Sequence, residues 1–148
     1  MNTLSGHMEA TAHVFSVRVY YEDTDAGGIV YYANYLKFAE RARTEFLRLA
    51  GVDQSAMAAR FGAGFAVREC SVDYRRPAYL DDLLQVRSRL TAMSGAALFA
   101  EQSIRRGDEE LTRLSLRVVC LRRDGRPSRI PAPVRHALEP YVTSLEHA

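Results

Sequence analysis

Residues 17–48 read VRVYYEDTDAGGIVYYANYLKFAERARTEFLR and contain the change of pattern that decides the fold. At its start, Val17, Val19 and Tyr21 alternate with other residues, as in a half-buried β-strand over residues 14–21. A loop with three carboxylates and a Gly-Gly pair then breaks the alternation. From residue 35 to 50 the apolar residues recur at the spacing of one helical face, which predicts a long amphipathic helix.

The ends of this helix and the segments beyond it have their own signals. Asn34 is suited to cap the start of the helix, and Gly51 to stop it. Four later segments alternate in the manner of strands, at residues 65–75, 83–92, 97–105 and 111–121. A phase slip near Arg68 and Glu69 predicts a β-bulge in the first of them. Short helices are expected at residues 54–60 and at about 132–145.

The order of these elements is strand, long helix and four strands joined by short turns. Turn signals at Ser94-Gly95 and Gly107-Asp108 make the strands antiparallel neighbours. The sequence therefore predicts an α+β fold in which a curved antiparallel sheet of about five strands wraps the long helix. An exposed edge strand of such a sheet would be covered by pairing with a second copy.

Length and composition limit the class of protein. A chain of 148 residues with 47% apolar and 26% charged residues forms one globular domain. No apolar run approaches the roughly 20 residues of a membrane span, and a net charge of +2 gives no argument for nucleic acid. Residues 1–12 lack the basic and apolar regions of a signal peptide and are expected to form a disordered tail, with residues 13–148 as the domain.

The cysteines and the basic residues carry weaker signals. Cys70 and Cys120 are fifty residues apart, which is neither a disulfide framework nor a zinc-site spacing. Both are expected to be small core residues in a protein of the reducing cytoplasm. Nineteen of the twenty basic residues are arginines, which we interpret mainly as codon bias.

The acidic loop is the candidate site of chemistry. Its carboxylates belong to Glu22, Asp23 and Asp25, and Gly27-Gly28 permits close approach of a ligand to the backbone. A solvated acidic turn is one interpretation. The other is a carboxylate facing free N–H groups at the start of the long helix, which suits acyl transfer because the N–H groups stabilise an oxyanion.

These residues closely resemble the signature of the 4-hydroxybenzoyl-CoA-thioesterase-like branch of the hotdog-fold superfamily. The resemblance continues through VDYRRPAYLDD at residues 72–82. Within this branch, the sequence most resembles the bacterial acyl-CoA thioesterases associated with the Tol–Pal system. It implies a cytoplasmic enzyme that hydrolyses acyl-CoA without a metal or cofactor. It also implies a homodimer with a joined sheet, often paired into a tetramer, whose active site lies at the subunit interface.

The resemblance assigns roles to residues of this chain. Asp25 corresponds to the catalytic carboxylate, acting as nucleophile or as general base on water. The oxyanion donor falls on the backbone N–H of Tyr32, seven residues further on. Asn34 and Tyr35 would shape the turn, while Asp23 would orient the loop by accepting N–H bonds.

Substrate contacts are expected on both sides of the thioester. Tyr35, Phe38, Phe65 and Met93 are candidates to line the acyl pocket. The three phosphates of coenzyme A favour cationic residues at the cleft mouth. The candidates are Arg75 and Arg76, and also Arg122, Arg123 and Arg126.

One position departs from the family pattern. Many members of the Tol–Pal-associated group have histidine where this chain has Tyr32, and none of the four histidines here lies near the motif. A histidine–aspartate mechanism is therefore not expected, and Asp25 would act with backbone donors.

Two other classes remain as alternatives. Asp23-Thr24-Asp25 after a strand superficially resembles haloacid-dehalogenase-like phosphatases, although Gly27 stands where those have Thr or Val. Such an enzyme would lose activity in EDTA. The other alternative is a non-catalytic protein that binds acyl thioesters or acyl-carrier protein as a partner in a Tol–Pal-linked complex.

Overall fold

The computed structural model describes residues 3–143 of the chain. Within them the strands are β1 (His7–Glu9), β2 (Ala12–Arg18), β3 (Ala63–Tyr74), β4 (Leu83–Met93), β5 (Ala97–Arg106) and β6 (Glu109–Arg122). The helices are α1 (Asn34–Leu49), α2 (Gln54–Phe61) and α3 (Ala132–Leu138). Short 3₁₀ turns occupy Thr3–Ser5, Tyr21–Asp23 and Glu139–Tyr141. No helix in this part of the chain is long and apolar enough to cross a membrane.

The strands form one antiparallel sheet in the order β1-β2-β4-β5-β6-β3. Helix α1 lies against β2, β4 and β5. The α+β class and the single long helix against an antiparallel sheet are thus confirmed, and the sheet has six strands rather than about five. The register of β3 against β6 shifts between Val67 and Glu69, where the sequence predicted a bulge.

The core lies between α1 and the sheet, because the apolar face of the helix is turned toward the apolar faces of the strands. The buried residues of α1 are Tyr35, Phe38, Ala39, Ala42 and Phe46. Alternate residues of the strands meet them, including Leu84 and Val86 of β4, Ile104 of β5, and Leu114 and Leu116 of β6. Helix periodicity of 3.6 and strand periodicity of 2 therefore identified the same interior.

The sixth strand is β1, and it corrects the expectation of a disordered tail from Thr3 onward. Gly6 turns the chain with φ +76°, and a Cβ there would clash with the Val14 carbonyl oxygen. The ring of His13 is buried, stacks on Phe46 and lies with Nε2 2.6 Å from the Ser5 carbonyl oxygen. A three-residue strand has no measurable alternation, so these tertiary contacts, which sequence periodicity does not show, define the hairpin.

Three further boundaries differ from the sequence analysis. The first strand ends at Arg18 rather than residue 21, because the chain turns into the 3₁₀ segment. The last helix ends at Leu138, because Pro140 has no N–H to continue the α-helical hydrogen bonds and the chain passes into a 3₁₀ turn. Residues 144 and 145 of the expected helix lie outside the described part.

The two cysteines have different environments. Cys120 is buried as expected, whereas Cys70 is exposed. The expectation was wrong for Cys70 because β3 is an edge strand and has a neighbour on one side only. Desolvation by the surrounding protein atoms raises the pKa of the Cys120 thiol and, although part of its surface meets solvent, that of the Cys70 thiol as well.

The outer face of the sheet, turned away from α1, carries a network of ion pairs between strands. Arg113 of β6 reaches Glu101 of β5 at 3.2 Å and Glu110 at 3.3 Å. Arg105 lies 3.8 Å from Glu110, and Arg117 pairs with Glu69 of β3 at 2.9 Å. A good part of the arginine excess is therefore placed opposite glutamates on this face.

Candidate active site

The acidic loop is an ordered hairpin that leads into α1. An antiparallel bridge joins Thr24 and Val30. The Asp25 N–H donates to the Ile29 carbonyl and the Tyr31 N–H to the Asp23 carbonyl, both at 3.0 Å. The hairpin therefore holds residues 23–25 and 29–31 side by side.

Asp23 is occupied in holding this loop. Its Oδ2 accepts the Tyr20 N–H at 2.8 Å, and its carbonyl oxygen accepts the Asn34 side-chain amide at 2.8 Å. These contacts confirm that Asp23 orients the loop. They also correct the role of Asn34, which is the first residue of α1 rather than its cap and uses its side chain to tie the helix to Asp23.

Asp25 has one carboxylate oxygen fixed and one open. Oδ1 accepts the Gly27 N–H at 2.9 Å, and the Asp25 carbonyl accepts the Gly28 N–H at 3.0 Å. Gly28 has φ +78°, a conformation that favours glycine. Among residues 3–143, nothing donates a hydrogen bond to Oδ2. The side chain is exposed, so this oxygen is available to a substrate or a water molecule.

Tyr32 lies in the turn just before α1. The helix begins at Asn34, whose N–H donates to the Tyr31 carbonyl at 2.8 Å. Within the described residues, the Tyr32 N–H has no acceptor. The expected oxyanion donor is thus an unpaired backbone N–H, two residues ahead of the helix rather than inside it.

Tyr35 anchors the loop to the segment after β3. It is only 3% exposed, and its hydroxyl accepts the Ala78 N–H at 2.9 Å. The Val30 N–H donates to the Ala78 carbonyl at 2.9 Å, and Ile29 forms a bridge with Tyr79. Burial raises the pKa of Tyr35. Tyr35 is therefore enclosed among protein groups and supports the site from behind.

A group of aromatic rings extends the site toward the end of β3. The rings of Tyr31 and Tyr32 are 4.8 Å apart, and Tyr74 lies 6.0 Å from Tyr32 and 5.7 Å from Tyr35. A hydrogen bond with Tyr32 raises the pKa of Tyr31. Sequence reasoning did not single out Tyr74, because its position beside the loop arises only when β3 folds back along α1.

Phe65 lies at a different place from the loop. It lines a cavity of about 180 Å³ between α1 and the sheet, together with Val67. Of the other acyl-pocket candidates, Phe38 is 1% exposed in the core and Met93 packs against the core. The structure therefore places Asp25, Tyr32, Asn34 and Tyr35 in one loop and the helix start that follows it, and places Phe65 on β3 at the wall of the cavity.

The arginine candidates fall into two sets at opposite ends of the β3–β6 pair. Arg75 contacts Asp73 at 2.9 Å and Glu110 at 2.7 Å, and Arg76 contacts Glu109 at 3.1 Å. The hydrogen bond that Arg75 donates to the Asp73 carboxylate raises the pKa of Arg75. The other set follows β6, with Arg122 3.2 Å from Asp124 and Arg123 3.4 Å from the Ala58 carbonyl. Only the first set lies at the end of β3 that carries Tyr74.

Metal ligands were not expected at this site. Within residues 3–143, no group of three or more His, Cys, Asp or Glu side chains has an arrangement that could hold a metal ion.

Comparison with known proteins gives consistent relatives. The family model described as the thioesterase-like superfamily matches residues 19–138. The chain is 44% identical to an acyl-CoA thioesterase YbgC of Haemophilus influenzae over 107 residues, covering 72% of this chain and 79% of that protein. It is also 44% identical to an acyl-CoA thioester hydrolase YbgC of Escherichia coli O157:H7 over 115 residues, covering 77% and 85%.

A solved structure agrees with these sequence matches. A probable thioesterase from Bartonella henselae superimposes with a TM-score of 0.78 at 37% identity, covering 81% of this chain and 99% of that one.

Proposed function

The chain belongs to the thioesterase-like superfamily, and from this premise we propose that it hydrolyses acyl-CoA to a free acid and coenzyme A with Asp25 as the catalytic carboxylate. The observation that carries the proposal is the hairpin itself. It holds one oxygen of Asp25 against the Gly27 N–H and leaves the other open, beside a turn whose Tyr32 N–H is unpaired within the described part of the chain. A fixed carboxylate and a free N–H donor are what thioester hydrolysis requires.

The chemistry can follow either of two routes from this geometry. In one, an Asp25 oxygen adds to the thioester carbonyl carbon and the sulfur leaves as the coenzyme A thiolate. Water then cleaves the mixed anhydride to the acid and restores Asp25. In the other, Asp25 takes a proton from a water molecule that attacks the same carbon. In both, the Tyr32 N–H donates to the carbonyl oxygen as negative charge develops on it.

We further propose that the active protein is a dimer joined along β3. This strand is 12 residues long, lies at the edge of the sheet and exposes Val67 to 46% and Tyr74 to 44%. A long, open edge with unpaired backbone groups is normally covered. Self-pairing about a two-fold axis is antiparallel, so the Tyr74 end of one copy would lie beside the Phe65 end of the other.

This pairing would also bring the two arginine sets together. Arg75 and Arg76 of one copy and Arg122, Arg123 and Arg126 of the other would lie at the same end of the joined strands, because the sets occupy opposite ends of β3 and β6 in each chain. Guanidinium groups suit phosphate because they donate two parallel hydrogen bonds. We propose that they hold the phosphates of coenzyme A.

If these arginines bind the phosphates, their substitution should split the KM values of substrates with and without phosphates. Charge reversal in Arg76→Glu or Arg123→Glu should raise KM for an acyl-CoA by about 10- to 100-fold, in line with about 1.5–3 kcal/mol for a hydrogen bond to a charged group. The same variants should leave KM for the matching N-acetylcysteamine thioester nearly unchanged, because that substrate has no phosphate. Steady-state kinetics on both substrates measure the split, and equal effects on the two would contradict it.

The central test concerns Asp25. Asp25→Asn should fold and elute like the wild type, yet lower kcat for acyl-CoA hydrolysis by about 10²–10⁴, the range for loss of a general base, and by more if Asp25 is the nucleophile. Glu22→Gln is the matched control, since Glu22 is an exposed carboxylate of the same loop. Near-wild-type turnover in Asp25→Asn would show that another group does the chemistry.

The same experiment separates the enzyme from a binding protein. A non-catalytic partner of acyl-carrier protein would bind acyl thioesters with little turnover, and Asp25→Asn would leave that binding intact.

We place the protein in the cytoplasm, where its unpaired thiols would stay reduced and where a carrier protein would present the same class of thioester.

A further inference from the structure

The cavity beside α1 is apolar over most of its wall. It measures about 180 Å³ and lies between the middle of α1 and the inner face of the sheet. Its apolar wall is formed by Phe46, Leu47, Phe65, Val67, Leu90, Leu98, Ala100 and Val118. Cavities of about 150 Å³ with such walls hold a molecule of the size of benzene.

One cation interrupts this wall. Arg43 of α1 lines the cavity and is half-buried, and burial lowers its pKa. Its Nη1 donates to Gln102 Oε1 at 2.9 Å. Gln102 is itself fixed, because its amide nitrogen donates to the Ala39 carbonyl and to Ser88 Oγ, both at 2.9 Å.

Arg43 forms no ion pair in the described structure, although the charge of the neighbouring Glu40 opposes the effect of burial on its pKa. No ion pair within 4.0 Å joins it to an acidic residue among residues 3–143. Glu40 also lines the cavity, but it is exposed and its Oε1 accepts a hydrogen bond from Thr44. A guanidinium that is partly withdrawn from water, with most of its five N–H groups unused, favours an oxygen acceptor from a ligand.

The position of the cavity relates it to the reaction, and this step rests on the proposed function. Phe65 and Val67 of β3 line the cavity. In the proposed dimer, the Tyr74 end of the other β3 lies beside these residues, and the ring of Tyr74 contacts Tyr32 of the catalytic loop. The cavity of one copy would therefore open toward Asp25 of the other.

We infer that this cavity holds the acyl group of the substrate, and that Arg43 selects acyl groups of about five or six carbons that carry an oxygen acceptor at the far end. A cavity of this size favours a short acyl chain over a long fatty one. The acceptor is a hydroxyl or a carboxylate. A hydroxyl would also be able to donate to Glu40, whereas a carboxylate would only accept from Arg43.

The test compares thioesters of equal length. The substrates are pentanoyl-CoA, 5-hydroxypentanoyl-CoA and glutaryl-CoA, with palmitoyl-CoA as the long chain. We expect kcat/KM for at least one oxygen-bearing substrate to exceed that for pentanoyl-CoA by about 10- to 100-fold, the range of a charge-assisted hydrogen bond. Palmitoyl-CoA should be at least tenfold poorer than pentanoyl-CoA. The better of the two oxygen-bearing substrates identifies the acceptor.

Variants of Arg43 test whether this residue causes the preference for oxygen-bearing acyl groups. Arg43→Met should bring the preference ratio to about one, and Arg43→Lys, which keeps the charge and a donor for Gln102, should retain part of it. Arg41→Met is the matched control, because Arg41 is exposed on the same helix, and it should keep the wild-type ratio. A ratio near one in the wild type, or a ratio unchanged in Arg43→Met, would overturn the inference.

A binding measurement keeps this test separate from the proposed function. Calorimetric titration of Asp25→Asn with each five-carbon acyl-CoA gives Kd ratios that need no turnover, and adding Arg43→Met should remove the preference. If the wild type hydrolyses none of the substrates but the Kd ratio depends on Arg43, the proposed function fails and the cavity assignment stands. Equal Kd values with normal hydrolysis would mean that the cavity assignment fails and the proposed function stands.

Discussion

Asp23 and Asp25 are two residues apart, yet their carboxylates have different neighbours. Each accepts one N–H, Asp23 from Tyr20 and Asp25 from Gly27, but Asp23 is half-buried and its carbonyl oxygen also holds the Asn34 side chain, whereas Asp25 is exposed. At the scale of single residues, position within the hairpin therefore ties one acid into the loop and leaves the other open to solvent.

Tyr35 gives a stability prediction at this scale. In Tyr35→Phe the buried Ala78 N–H loses its acceptor, so the free energy of unfolding should fall by about 1–3 kcal/mol. Urea denaturation measures the change. The exposed Tyr21→Phe is the control and should stay within about 0.5 kcal/mol of the wild type. Equal stability of the two variants would mean that water replaces the hydroxyl at Ala78.

At the scale of elements, the N-terminal hairpin depends on one buried imidazole. His13 lies against Phe46, and Ser5 Oγ donates to Glu45 at 2.9 Å on the same face of α1. His13 Nδ1 is buried with no hydrogen-bond partner in the described structure. The ring of His13 therefore joins the N-terminal hairpin to α1, together with the hydrogen bond between Ser5 and Glu45.

The buried ring of His13 predicts that the stability of the fold depends on pH in acid. Burial lowers the pKa of His13, although the Ser5 carbonyl and the charge of Glu45 oppose this effect. Above about pH 6.5 the ring is neutral in both the folded and the unfolded chain, so it contributes no pH dependence. Below that value the unfolded chain takes up a proton that the folded chain disfavours, and stability falls as the pH falls.

Thermal unfolding between pH 7.5 and pH 5 measures this dependence. The midpoint of the wild type should fall with pH, and His13→Phe, which keeps a ring against Phe46 but cannot titrate, should show a shallower fall. Parallel curves for the two proteins would show that other groups cause the acid sensitivity.

The elements also show what sequence can and cannot predict. The strands with long apolar alternation were predicted because each has one buried face, and the bulge at Val67–Glu69 left its trace as a phase slip. Asp25 was singled out because its loop is a local motif. Tyr74 and Arg43 were not singled out, since their positions beside the loop and the cavity depend on which elements pack together. The short β1 and the exposure of Cys70 were missed for the same reason.

At the scale of the whole molecule, the open edge of β3 predicts the assembly. Cys70→Arg places a bulky cation at an exposed position in the middle of the strand, and two such cations would oppose each other across the joint. We expect this variant to be monomeric by light scattering and to lose most of its hydrolysis, because each site would need both copies. Ser16→Arg, exposed on the interior strand β2, should remain dimeric and active.

The oligomeric state and the hydrolytic activity of Cys70→Arg should change together. A monomeric variant with full turnover would contradict a site shared between copies, and an intact dimer would place the joint elsewhere on the sheet.

The ion pairs on the outer face of the sheet have a consequence for how many partners each cation holds. Their cations are guanidinium groups, as at Arg105, Arg113 and Arg117, and the whole chain has a single lysine. A guanidinium presents five N–H donors in a rigid planar fork, whereas an ammonium is a compact charge with three donors. One arginine can therefore bind two glutamates at once, as Arg113 does with Glu101 and Glu110, and lysine in its place would keep the charge but lose this double contact.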